Sequence, residues 1–169
     1  MISRLRVLAF GVAVAATLGA AGLVQVSAQD MPSKIDDKAK AAAVAKERSD
    51  FMGMLGDNEK NLVAVMKGQA PLDDKAVTAA EKQATAAKEI LSHFNPGTGD
   101  DMVNGSRARA SIWSEWDKFK ELASAVQPAT AAAAAAAKSG DQKVFAEKEM
   151  AAVNACAACH KVYRAPRPR

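Results

Sequence analysis

Aromatic residues are scarce: five Phe, two Trp and one Tyr make up 5% of 169 positions. Cysteine occurs twice, which excludes a scaffold held by a dense disulfide framework. Glycine and proline are limited to ten and six, with no repeating period, so the chain is not collagen-like. Charge is also small. The formal net value is +4, which does not by itself indicate a nucleic-acid partner. No segment alternates with period two, and β-branched residues do not cluster. Beyond the N-terminal stretch, no run is long and apolar enough for a membrane-spanning helix. What remains is a chain 49% hydrophobic and 25% charged, dominated by Ala, Lys, Glu, Met and Leu. These are strong helix formers, and the length suits one domain.

Residues 1–28 read as a secretory leader. Arg4 and Arg6 form a basic start, Val7 to Val24 is apolar or small, and Val26-Ser27-Ala28 offers a cleavage site. Cleavage after Ala28 removes two arginines and no acid, leaving an exported domain at 29–169 that is closer to neutral. The competing reading is a membrane anchor. Gly11, Gly19 and Gly22 weaken that reading, and no stable anchor is expected after cleavage.

The exported part reads as all-α, an antiparallel four-helix bundle. Ser33 with Asp36 resembles a capping box, predicting helix A over about 34–67, stopped by Gly68 and Pro71. Asp73 caps helix B. Its apolar positions Val77, Ala80, Ala84, Ala87, Leu91 and Phe94 step by three and four. Asn95 to Asp100 is a loop by turn chemistry. Helix C begins near Ser106, with Ile112, Trp113, Trp116, Phe119 and Leu122 inward. Pro128 is expected to kink or interrupt it before an alanine run extends it to about Lys138. Ser139-Gly140-Asp141 separates it from helix D, where Phe145, Glu149, Ala152, Cys156, Cys159 and Tyr163 share one face.

Cys156-Ala157-Ala158-Cys159-His160 carries the chemistry. C-x-x-C-H is the attachment pattern of covalent haem. Thiols one helical turn apart can each form a thioether on one porphyrin edge, and the adjacent imidazole can serve as proximal iron ligand. A redox-active C-x-x-C needs a βαβ setting that is not visible. A zinc site would have to recruit distant His93 as well. A disulfide within one helical turn is geometrically disfavoured. Export agrees with haem attachment outside the cytoplasm. No nucleophile–base pair suggests an enzyme.

Four segments resemble the class II c-type cytochromes, the family of cytochrome c prime and its low-spin methionine-ligated relatives. They are Arg48 to Met52, Lys67 to Pro71, Ile112 to Phe119, and Cys156 to Arg164. The resemblance implies one covalent haem c per chain, attached at Cys156 and Cys159, with His160 proximal. It places Met52 where the methionine-ligated relatives supply the distal ligand, and this favours a periplasmic one-electron carrier that meets redox partner proteins. The alternative is a five-coordinate site, with Met52 only packing over the iron, that binds NO or CO. Met54 lies two residues away on another helical face, and His93 is a remote third candidate. Arg48 and Arg164 are candidates for pairing with haem propionates. Monomer and homodimer are both open.

Overall fold

The computed structural model describes residues 30–167, and the leader assigned to residues 1–28 lies outside them. Four long helices are antiparallel neighbours in one bundle. They are α1 (Lys38–Met66), α2 (Asp74–Ala86), α4 (Trp116–Ser139) and α5 (Gln142–Tyr163). A 3₁₀ segment, Ala87–His93, extends α2, and a single turn, α3 (Ser111–Ser114), precedes α4. No strand forms among the described residues; there is only an isolated bridge between Ala108 and Arg164. None of the described helices is long and apolar enough to cross a membrane.

Helix α1 starts later than expected. Its cap is Asp37, whose carboxylate accepts from the Lys40 amide at 2.7 Å, not Ser33. The residues before it are held in extended form by another segment. The Ile35 amide donates to the Pro96 carbonyl at 2.9 Å, and the Asn95 amide group donates to the Ser33 carbonyl. Ile35 is buried there. Gly97, at φ +87°, makes this crossing possible, because a Cβ at that position would collide with the Ile35 carbonyl oxygen.

Asp73 caps α2 as expected, accepting from the Lys75 and Ala76 amides at 3.0 Å. The helix then tightens into the 3₁₀ form. Three residues per turn carry Ala87 and Ile90, then Leu91 and Phe94, onto the buried side. Pro128 does not interrupt α4, which runs unbroken from Trp116 to Ser139. Its ring is on the exposed face, so the acceptor that loses an amide partner lies toward solvent. Gly140, at φ +71°, closes α4, and Asp141 caps α5 through the Lys143 and Val144 amides.

The expected start of helix C at Ser106 is also corrected. Residues 106–109 stay out of the helix because backbone groups of Arg107 and Arg109 pair with the end of α5 and the chain after it. The Arg109 amide donates to the Tyr163 carbonyl, and the Ala165 amide donates to the Arg107 carbonyl at 2.8 Å. A helix there would forfeit both bonds.

Two apolar clusters fill the bundle. One holds Leu62, Val65, Ala76, Ala80, Phe145 and the α4 alanines 134, 136 and 137. The other is aromatic: Phe94, Trp116, Phe119 and Tyr163, with Leu91, Ile112 and Val126. Phe119 anchors it, with ring centroids 4.7 Å from Phe94, 5.5 Å from Trp116 and 5.4 Å from Tyr163.

Candidate haem-attachment site

The last two turns of α5 carry Cys156, Cys159 and His160 against the aromatic cluster. Both thiols are free and half-buried. Cys156 and Cys159 pack on that cluster together with Phe51, Met52 and Leu55 of α1, Trp113 of α3 and Leu122 of α4. Burial pushes the Cys156 thiol up to about 12, helped by the charges of Glu59 and Glu149. Burial alone pushes Cys159 up to about 11. Both are therefore neutral thiols at physiological pH. His160 is pushed down to about 4, first by burial and then by the nearby Arg164 and Arg107. A neutral imidazole is the form that binds a metal.

This arrangement fits a haem tethered through two sulfurs. The thiols are one turn apart on a single helix, share one apolar wall and stand beside an uncharged imidazole. No group of three or more His, Cys, Asp and Glu suited to a metal ion occurs among the described residues, so a zinc centre has no ligand set here. His93 is not drawn to the thiols. Its ring stacks on Phe51 at 4.0 Å between centroids.

Met52, half-buried on α1, packs on the same aromatic cluster as Cys156 and Cys159. Met54 is exposed, which places it away from that cluster. Arg48, expected as a propionate partner, is buried one turn before Met52 and clamps the loop after the 3₁₀ segment. Nη1 donates to Thr98 Oγ1 at 2.6 Å and to the His93 carbonyl at 3.4 Å. Nη2 donates to the Thr98 carbonyl at 2.7 Å and to Ser106 Oγ at 3.0 Å. Its four Nη hydrogens are thereby committed, and its guanidinium also stands 5.1 Å from the Phe94 ring centroid. Arg164 is exposed, and its backbone bridges to Ala108. Trp113 is both packing and anchor: it lines the wall while its indole N–H donates to the Phe94 carbonyl at 3.1 Å.

A family model for cytochrome c' matches residues 43–164. The chain belongs to the cytochrome c' family. Within this family of class II c-type cytochromes, one haem c is held covalently per chain. Members are haem proteins of electron and gas chemistry, not enzymes in the ordinary sense. The chain is 32% identical over 126 residues to cytochrome c' of Pararhodospirillum photometricum, covering 75% of this chain and 99% of the relative. It is 33% identical over 124 residues to cytochrome c-556 of Agrobacterium tumefaciens, covering 73% and 98%. It is also similar to the nitric oxide complex of a point mutant of cytochrome c prime from Alcaligenes xylosoxidans. There the TM-score is 0.67 at 27% identity, with 79% of this chain and all of that chain covered.

Reading the sequence missed one polar feature beside this cytochrome site. Glu149 is 1% exposed and one oxygen of its carboxyl has no partner. The signal was present, since Glu149 lies in the same three-and-four stripe as Phe145, Ala152 and Cys156.

Proposed function

We propose that this cytochrome is exported to the bacterial periplasm after cleavage of residues 1–28. There it binds a small diatomic gas, NO or CO, at a haem iron held by His160 with its distal side left open under Met52. The observation that carries this reading is the likeness, across 79% of the chain, to a relative solved with nitric oxide bound. When bound, the haem supplies a one-electron couple and an axial position for a ligand.

The chain's own residues do the rest. Cys156 and Cys159 would hold the porphyrin edge, each through a thioether to a former vinyl group. Both thiols are raised by burial and so stand neutral in the free chain. His160 offers a neutral nitrogen to the iron. Phe51, Met52 and Leu55, packed on the aromatic cluster from α1, would give the distal side an apolar wall that suits an uncharged diatomic ligand. Arg164 and its neighbour Arg107 supply positive charge for a propionate beside His160. Arg48 serves this site by fixing the loop that carries Thr98 and Ser106.

A second reading has its own support. Met52 packs on the same aromatic cluster as both thiols, which supports its sulfur as a candidate iron ligand from α1. Coordination there would make a low-spin one-electron carrier. Exposed Lys161, Arg164 and Arg167 would then present a basic face to acidic redox partner proteins.

The ferrous visible spectrum, recorded with and without carbon monoxide, separates the two. The gas-binding reading expects broad high-spin bands that shift on adding CO, and a Met52→Ala variant with the same spin state. Sharp low-spin bands that resist CO, and are lost in Met52→Ala, would establish the carrier instead. A polypeptide mass without covalent haem would reject both.

A further inference from the structure

Glu149 on α5 is buried, and Glu59 on α1 is half-buried with one carboxylate oxygen turned inward. Oε1 of each is shielded from solvent and has no hydrogen-bond partner. No ion pair among the described residues involves either. Glu59 has one neutral partner from α2: the Gln83 side-chain amide donates to its Oε2 at 2.9 Å. Asn58 in turn donates to Gln83 Oε1 at 3.0 Å, which fixes the orientation of that amide. The charge of Glu59 reaches both Glu149 and Cys156. The buried positions of α4 carry no titratable group, so nothing from that side compensates the pair. On α5 itself the nearest titratable group acting with them is Cys156, which no longer titrates once it is a thioether.

Two carboxylates without a cation, each with an inward oxygen that nothing solvates, are mutually repulsive and costly to ionise together. A single proton relieves both problems, removing one charge and with it the repulsion and the cost of an unsolvated anionic oxygen. Burial first, and the charge of Glu59 second, push Glu149 up to about 7, and burial raises Glu59 as well.

We propose that Glu59 and Glu149 form a proton-binding pair between α1 and α5, which takes up a proton when the haem tethered at Cys156 gains an electron. The link to the iron rests on the haem reading above; the proton site rests on the carboxylate pair alone. The ferric chain takes one electron from a one-electron donor protein or chemical reductant and one proton from hydronium or a buffer acid. The product is the ferrous chain with a new O–H bond on the pair; the only bond broken is the one that held the proton in its donor, which is left as water or the buffer's conjugate base. The ferric centre carries one more positive charge than the ferrous, so an ionised pair favours the ferric state. By reciprocity, reduction raises the proton affinity of the pair. Glu149 is two helical turns before Cys156 on the same face, near enough for its charge to be felt there.

The test uses the haem-loaded protein. Redox potentiometry between about pH 5 and pH 8 should show the midpoint rising as pH falls in the wild type. That dependence should be lost in Glu149→Gln, and moved to lower pH in Glu59→Gln, where Glu149 has lost its charged neighbour. Reduced-minus-oxidised infrared spectra should show a protonated carboxyl band gained on reduction, absent from Glu149→Gln. If Glu149→Gln fails to load haem, the wild-type infrared spectrum and Glu59→Gln decide alone. The same pH dependence in all three proteins would overturn the proposal. So would two carboxylates that stay ionised in both redox states, or a potential that follows sodium or potassium concentration at fixed pH. A chain without covalent haem would overturn the link to the iron while leaving the proton measurable through pH-dependent unfolding.

Discussion

Replacing Arg48 with methionine keeps most of the stem and removes the guanidinium clamp. Two of its bonds are short and charge-assisted, those to Thr98 Oγ1 and the Thr98 carbonyl at 2.6 and 2.7 Å. At about 1.5–3 kcal/mol each, their loss destabilises by roughly 3–6 kcal/mol. The bonds to Ser106 and His93 are longer and add little. An opposing effect must be subtracted. The cation is buried without an anion, and burial lowers Arg48 from 12.5 to about 10. That shift corresponds to roughly 3 kcal/mol relieved when the charge is removed. The hydroxyls are not stranded, because Thr98 Oγ1 still donates to the Asn95 carbonyl and Ser106 Oγ still donates to the Thr98 carbonyl. The net expectation is a loss of about 2 kcal/mol in urea unfolding at neutral pH. Hydrogen exchange should quicken at the Asp100 and Val103 amides, which bond inside this loop. Arg48→Lys should recover little, since one ammonium cannot span Thr98, Ser106 and His93 together. A methionine variant as stable as the wild type, with the loop amides equally protected, would refute the clamp. A changed haem spectrum with an unchanged loop would return Arg48 to the propionate role.

Gly97→Ala should lose 2 kcal/mol or more in the same assay, on the order expected for a side chain forced into positive φ against a backbone oxygen. An unchanged urea midpoint would show that the segment around Ile35 can move aside. Glu149 gives the pH dependence of stability. Its folded value, about 7, lies above the ordinary 4.5, so its favourable contribution is complete below about pH 4.5 and is lost as pH rises through 7. Glu149→Gln should therefore gain on the wild type between pH 5 and pH 8, by no more than roughly 3 kcal/mol. Parallel curves for the two proteins would show that Glu149 is solvated in solution.

Much of the site was legible because it depends on short-range spacing. The thiols and imidazole occupy five consecutive positions, and α5 is bounded by a Gly140-Asp141 stop and cap whose chemistry is local. What escaped depends on contacts distant in the chain. Ser33 and Asp36 form a plausible cap, but Ile35 is bonded to Pro96, some sixty positions away, and the helix has to wait for Asp37. Ser106 starts no helix because the chain beyond Tyr163 claims its neighbours' backbone groups. Pro128 leaves α4 uninterrupted because its ring faces solvent, a side set by packing and not by the local sequence. Arg48 was recognisable as special, but its partners Thr98 and Ser106 come from a loop that no helical period describes. Glu149 fitted an apolar stripe so well that its charge went unweighed.

The two apolar clusters give the halves of the molecule different mechanical characters. At the end near Gly140, five alanine methyls supply much of the contact beside Leu62 and Val65, and they lose no rotamers on folding and offer little surface to hold. Phe145 is the one large ring in that cluster. At the other end, interlocking rings surround the tether. Thermal opening should therefore begin at the alanine end and travel toward the porphyrin, so that the bundle can breathe by whole turns while the iron's surroundings stay shut.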